Sequence, residues 1–391
     1  MNIPKLLSLI PVQSLEQLAI ETKVDHYAKK LQGEVIFKLL LYCIVSHKNN
    51  SLRTMESAYE KATFQLLNQR YNQGKVRFSS ISERLSSIKV EYFEKLYWQV
   101  VSSYKKELGK TTADLVRFDS TIVALSSKLL NIGYNIKGGE AENVKQLKFT
   151  IGFSDIPEIV HFFTDQKYTS ENVALKQSIL EHSQKDGESI KVFDRGITGR
   201  ETYDQFTEGN IQFVTRLNDK ARFEVQGDTK DNLKEPIETS TLSIVNDTWC
   251  YLLDSNRKKT RFPVRRIEAI RLETGEQIAF ITNIKDLNAV DITEIYKSRW
   301  DIEVFFKFLK QLLNFSHLIN RTENGVKVIL YVTMIAAILL IAYKKNNELS
   351  GFKIVKQKFE QELETCLIKN LITLCGGDPT QLNKVIQSKS P

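Results

Sequence analysis

Cysteine and histidine are too sparse and too scattered in this chain to build a site of their own. Cys43, Cys250, Cys366 and Cys375 form no Cys-x-x-Cys pair, and no histidine stands near one at a metal-ligand spacing. The pattern excludes a disulfide framework and a zinc site, and it reads as reduced thiols of a cytoplasmic chain. His26, His47, His161, His182 and His317 form no pattern either, which points to structural rather than catalytic use. The first residues show no signal-peptide pattern either. Pro11 interrupts the first short apolar run, no small-residue cleavage site follows, and Glu16 and Gln17 come next. The apolar run at 328–343 is shorter than the roughly 20 residues that cross a bilayer. Lys327 and Lys344 close it on both sides. It reads as a buried core helix, with a membrane span as the weaker alternative. Internal repeats and low-complexity segments are absent, and the stretch from Gly376 reads as a frayed polar tail.

What is present is a large, basic, well-mixed sequence. With 391 residues and 42% hydrophobic content the chain can bury a sizeable core in two or three domains. The formal charge is +8, and residues 1–110 hold 17 Lys and Arg against 10 Asp and Glu. That excess suits a polyanion such as DNA.

Residues 1–110 read as helices. Ser14-x-x-Gln17 and Ser80-x-x-Glu83 match capping boxes, 34–47 and 53–69 have helical composition, and Leu85, Ile88, Tyr92, Leu96 and Val100 recur at helical spacing. From about residue 113 the pattern turns to β-rich runs at 115–125, 147–153, 158–164, 189–194 and 211–217. Helical composition at 171–183 and 200–208 separates the last three. Three strands, helix, strand, helix, strand is an α/β order that fits a ribonuclease-H-like core. Further strands at 249–254, 262–272 and 277–283, joined by the turns Ser255-Asn256 and Thr274-Gly275, follow before the next helix.

That helix carries the most informative stretch. At about 100° per residue, Tyr296, Arg299, Glu303 and Lys310 fall within roughly 60° on one face. Ile295, Ile302, Phe306, Leu309 and Leu313 form an apolar stripe beside them. A carboxylate between cations at the edge of a core suits a metal ion beside a phosphate backbone, although an isolated Arg-x-x-x-Glu pair is ordinarily a solvated salt bridge. The full order of Tyr, two residues, Arg, three residues, Glu, six residues, Lys is more restrictive. It resembles the Tyr-Arg-Glu-Lys signature of the insertion-sequence-four family of bacterial DDE transposases, as do Arg299-Trp300-x-Ile302-Glu303 and Phe306-Lys307-x-Leu309-Lys310 around it.

The resemblance covers about residues 110–345. It implies a ribonuclease-H-like catalytic core with a β-rich insertion, preceded by an all-α DNA-binding domain. The expected divisions are 1–110 (helical, DNA-binding), 111–219 (core, first part), 220–285 (β insertion), 286–345 (core, second part with the Glu303 helix) and 346–391 (C-terminal helical segment and tail). Asp119 in the first strand, Asp194 at the end of the fourth and Glu303 would be the catalytic, metal-holding triad. Three carboxylates side by side cannot all stay ionised without a cation. Two Mg²⁺ ions, or Mn²⁺, held by hard oxygens would serve in-line phosphoryl transfer.

Tyr296, Arg299, Lys307 and Lys310 would contact DNA phosphates. Arg195 is open between contacting the transposon end and pairing with a triad acid. Trp300 is open between stacking and core packing, with packing favoured. Trp249 is a weak candidate for stacking a displaced base against ordinary strand packing. Lys148 departs from the family, where a histidine is expected after the second strand.

The implied protein binds terminal inverted repeats and target DNA, cuts and joins strands as a homodimer in a synaptic complex, and works in the bacterial cytoplasm on the nucleoid, with no membrane partner. A non-catalytic regulator descended from a transposase, or a nuclease of the same fold without strand transfer, are the alternatives.

Overall fold

The computed structural model describes residues 6–7, 9–47, 50–68, 74–107, 115–125, 134–135, 145–227, 233, 235–315 and 318–382. His317 and the end of the expected polar tail, residues 383–391, lie outside that set. The chain divides into two compact units, one of Met1–Lys110 with Lys307–Pro391 and one of Thr111–Phe306.

The first unit starts with helices α1 (Val12–Thr22), α2 (Gly33–Ser46), α3 (Leu52–Glu60), α4 (Ala62–Leu67), α5 (Phe78–Ser87) and α6 (Val90–Glu107). Neither expected capping box forms. Helix α1 has begun two residues before Ser14, behind Pro11, whose φ of −63° favours a helix start. Helix α5 likewise begins before Ser80, after an extended Arg77. Ser51 is the side chain that caps here, its Oγ accepting from the Thr54 amide at 3.0 Å. The single helix expected over 53–69 is two, because Lys61 is extended with ψ at 136°. Ile88 breaks the later run in the same way at ψ 143°. Leu85, Ile88, Tyr92, Leu96 and Val100 are nonetheless all fully buried, so the apolar spacing marks a shared core across two helices.

The second unit holds strands β1 (Leu115–Leu125), β2 (Tyr134–Asn135), β3 (Lys145–Phe153) and β4 (Pro157–Phe163), then helix α7 (Glu171–Ser183), β5 (Ile190–Phe193), helix α8 (Arg200–Glu208) and β6 (Phe213–Arg216). After these come β7 (Arg222–Val225), β8 (Ile237–Glu238), β9 (Leu242–Leu253), β10 (Val264–Arg271), β11 (Gln277–Thr282) and helices α9 (Ala289–Lys297) and α10 (Trp300–Leu312). All strands share one mixed 11-stranded sheet of order β2-β3-β1-β5-β6-β11-β10-β9-β7, with β4 on β3 and β8 on β9. β5 runs parallel to β1 and to β6. The β-rich run after residue 220 is therefore continuous with the central sheet, through antiparallel pairing of β11 on β6. The sequence did not point to β2 and β8, which are only two residues long, or to β7, whose Arg222–Val225 is largely exposed and has no apolar run.

Side-chain alternation divides the sheet faces. Phe118 and Phe193 are register neighbours, and Phe118 meets His182 at the end of α7 while Phe193 meets Phe206 of α8. The residues before them turn the other way. Val192, Val214, Ile267, Phe280 and Ile292 join one buried cluster, against which Ile295 and Tyr296 of α9 pack. Helices α7 and α8 thus cover one face and α9 the other.

Helix α11 (Glu323–Asn346) returns to the first unit, followed by α12 (Phe352–Leu374). Thr322 caps α11, its Oγ1 accepting from the Gly325 amide at 3.2 Å. By length and composition α11 could cross a membrane, but its apolar window is 94% buried among the other helices of its unit. The run at 328–343 is a core helix.

Candidate active site

The expected stripe from Tyr296 to Lys310 is not one helix. Helix α9 ends at Lys297, Ser298 and Arg299 form a tight turn, and α10 starts at Trp300. Within the turn the backbone bonds shorten to three-residue spacing, as in Arg299 N to Tyr296 O at 3.0 Å and Asp301 N to Ser298 O at 3.1 Å. The side chains still meet. Arg299 Nη2 donates to Glu303 Oε1 at 2.5 Å, and its guanidinium carbon lies 5.8 Å from the Tyr296 ring centre. Its Nε is buried without an acceptor among the described residues. Tyr296 itself packs on the core through Phe280, the rings tilted at 57° with centres 5.1 Å apart.

Asp119 and Asp194 are brought together by strand pairing. The parallel register of β1 and β5 ends with Phe118 beside Phe193, and one step further sets Asp119 beside Asp194 at the carboxyl ends of both strands. Alternation turns both away from the phenylalanines and toward the corner between α9 and α10. The Ser120 amide donates to Asp119 Oδ1 at 2.7 Å, and the Gly196 amide to Asp194 Oδ1 at 2.8 Å. Burial pushes the Asp119 carboxyl up to about 7, helped by the neighbouring Asp194 and Glu171 charges and opposed by the Ser120 amide and Arg299.

Glu303 is held less closely. Its carboxylate faces Arg299, and the oxygens of Asp119, Asp194 and Glu303 do not all lie within 4.8 Å of one another. Arg299 stands electrostatically between Glu303 and Asp119. A guanidinium in that position offsets part of the negative charge.

Two residues without an assigned role in the sequence complete the site. Arg117, two before Asp119 on the same face of β1, donates from Nε to the Ser298 carbonyl at 2.8 Å and from Nη1 to the Ser154 carbonyl at 3.1 Å, and pairs with Asp301 at 3.2 Å. It clamps the α9–α10 corner onto the Asp119 strand. The readable signal was a lone arginine alternating with an aspartate in an apolar strand. Glu171 opens α7, and its carboxyl is raised by burial and by the Asp194 charge. As an acid in a first helical turn it looked like an ordinary dipole partner.

Arg195 is exposed and forms no ion pair with a triad acid among the described residues. Trp300 is 63% exposed, so the core role expected for it does not hold: it opens α10 on the solvent side. Trp249 is half-buried on β9 opposite Arg265. Lys307 and Lys310 are exposed on the later turns of α10, in the first unit. A cavity of about 650 Å³ opens along α9 on the side of Tyr296, Arg299 and Trp300, lined by both basic and acidic side chains, among them Arg216, Arg271, Glu273 and Glu294.

A second acidic group, Glu158, His182 and Asp186, has its potential ligand atoms within 4.8 Å of one another. It lies near the opposite strand ends, next to the buried Lys191, whose ammonium donates to the Asp186 and Ser189 carbonyls at 2.7 and 2.8 Å. Burial lowers Lys191 to about 8 while Asp186 and Glu158 pull it back up. Lys191 thus sets a positive charge near that cluster, with its hydrogen bonds going to carbonyls and the Ser189 hydroxyl. At the Asp119–Asp194 end the donors are all hard carboxylate oxygens, and the missing side chain of Gly196 lets the Glu171 carboxylate come close to Asp194. This donor set fits a divalent ion.

A mixed α/β sheet with paired aspartates at parallel strand ends, facing an arginine–glutamate turn, defines an α/β protein with an acidic site at the carboxyl edge of its central strands. Residues 111–339 match the transposase DDE domain, and the chain belongs to that family. It is 25% identical over 279 residues to a Geobacillus stearothermophilus protein named "Probable transposase for insertion sequence element IS5377", covering 69% of this chain and 68% of that one. A Synechocystis protein named "Putative transposase for insertion sequence element IS4SA" is 26% identical over 267 residues, covering 63% and 66%. Both of these relatives are named as insertion-sequence transposases.

Proposed function

We propose that this chain is an insertion-sequence-four-type DDE transposase that binds terminal inverted repeats, cuts DNA at the element ends and joins them to target DNA. The observation that carries the reading is the register of β1 on β5, which sets Asp119 beside Asp194 and directs both toward the Arg117-clamped turn that leads into Glu303. The strand and helix order supports a ribonuclease-H-like core, with β7–β11 as its inserted segment. The basic helices before residue 110 are the DNA-binding part.

In this reading Asp119, Asp194 and Glu303 are the catalytic acids and would hold Mg²⁺, with Mn²⁺ able to replace it. The bound ions would supply charge neutralisation at the attacking and leaving oxygens. The protein residues do the rest. Arg299 orients Glu303 and, with its outer guanidinium edge, grips a phosphate; Lys307, Lys310 and Arg195 add point charges along the backbone; Tyr296 fixes the turn that carries Arg299. Two protomers pair the element ends, in the bacterial cytoplasm.

The test is a strand-transfer assay with a labelled 3′-end oligonucleotide of the element terminus. Joined product is expected. Cleavage without joining would assign a nuclease, and binding alone a regulator.

A further inference from the structure

We infer that Glu171 is a fourth carboxylate of the acidic site, ligating the same divalent cation as Asp194. The inference deepens the proposed function and rests on it. Glu171 is not part of the Tyr-Arg-Glu-Lys pattern, and it comes from the opposite sheet face, at the first residue of α7.

The geometry centres on Gly196. A Cβ built there would lie 2.0 Å from Glu171 Oε2 and 2.9 Å from Asp194 Oδ1, so the Glu171 carboxylate occupies the place a side chain would take, with the Asp194 oxygen at its edge. The backbone at Gly196 does not need a left-handed conformation, so space, not φ, is what glycine provides. That place is fixed from both sides. Asn172, the next residue of α7, accepts from the Thr198 and Gly199 amides through Oδ1 at 2.5 and 2.9 Å, and donates from Nδ2 to Thr198 Oγ1 at 2.9 Å. On the other side the Thr215 hydroxyl donates to the Asp194 carbonyl at 2.9 Å.

Lys148 takes part. It is buried on β3, and its ammonium donates to the Thr169 carbonyl at 2.8 Å, two residues before Glu171. Its charge favours ionised Glu171. The lysine that departs from the family pattern therefore positions the start of α7 and partly offsets the added negative charge. One ammonium facing Glu171 and one guanidinium facing Glu303 leave the Asp119–Asp194–Glu171 group with more acid than base, the condition a divalent cation relieves.

Two variants test the inference in the full-length protein without DNA, with Mn²⁺ as the probe in calorimetric titration and urea unfolding of the metal-free form in parallel. Glu171→Gln keeps shape and removes charge. Gly196→Ala keeps all carboxylates, forces the flexible end of Glu171 away and crowds Asp194 Oδ1 at 2.9 Å, so it reports on the pair, and Glu171→Gln reports on Glu171 alone. Both are expected to weaken Mn²⁺ binding roughly 10- to 100-fold, with metal-free stability unchanged or slightly raised. Lower metal-free stability with wild-type Mn²⁺ affinity in Glu171→Gln would make Glu171 a structural residue and overturn the inference. Asp194→Asn separates the two readings. If it abolishes Mn²⁺ binding while Glu171→Gln does not, only the fourth ligand falls; a wild-type protein that takes up no Mn²⁺ removes the metal site and this inference together.

Discussion

Arg117 Nε donates to the Ser298 carbonyl at 2.8 Å, joining the strand that carries Asp119 to the turn that aims Arg299 and Glu303. A second bond to the Ser154 carbonyl ties in the β3–β4 turn. Arg117 is only 7% exposed, so removing it leaves carbonyls without a donor in a dry setting. Arg117→Met keeps the aliphatic stem and deletes the fork. It is expected to cost roughly 3 kcal/mol in urea unfolding and to suppress DNA cleavage. Asp301→Asn should change stability by less than about 1 kcal/mol, because that partner faces solvent. Equal losses in the two variants would show that the ion pair, and not the carbonyl clamp, does the holding.

Glu303→Gln tests the arginine-held acid. The amide keeps an oxygen to accept from Arg299, so the α9–α10 turn should stay intact, while the charge for a cation is gone. End-DNA binding by gel shift should remain within about threefold of wild type, and cleavage should fall by at least about 100-fold, the scale of roughly 3 kcal/mol of lost transition-state stabilisation. Wild-type cleavage by this variant removes Glu303 from the triad.

The sequence carried the elements of the central sheet closely. β1, α7 and α8 begin and end where composition placed them, because strand-length β-branched runs alternate with helical ones there. The turn at Ser298–Arg299 was illegible: nothing in Tyr296-Lys297-Ser298-Arg299-Trp300 breaks a helix by propensity, and the contact made there, Arg117 Nε to the Ser298 carbonyl, comes from a strand 181 residues away. Glu171 was hidden for a different reason. Its role arises from proximity to Gly196, 25 residues away, and only the folded path of the β5–α8 loop brings them together. Trp300 misled because aromatic residues next to an apolar stripe ordinarily pack, whereas here the turn rotates it outward.

Lys310 sits near the end of α10, exposed and past the acidic turn. As a phosphate contact it should contribute one released counterion. Lys310→Ala is expected to weaken end-DNA binding and to reduce the slope of log affinity against log salt by about 1, with no change in Mn²⁺ affinity of the free protein. An unaltered slope would take Lys310 out of the DNA contact set.

The raised Asp119 carboxyl gives a pH signature in the metal-free protein. A carboxyl whose folded pKa of about 7 exceeds its unfolded value near 3.9 is favoured folded when protonated. Its stabilising contribution is therefore complete below about pH 4 and is lost as pH rises through 7. Measured against Asp119→Asn, which cannot titrate, the wild-type protein should lose relative stability between about pH 4 and pH 7 in urea unfolding with chelator present, and stay level above that. Because a cation must displace that proton, Mn²⁺ affinity should rise by up to tenfold per pH unit below 7 and level off above it. A relative stability that is flat across this window would mean that Asp119 is already ionised, and that Arg299 and the Ser120 amide outweigh burial and its acidic neighbours.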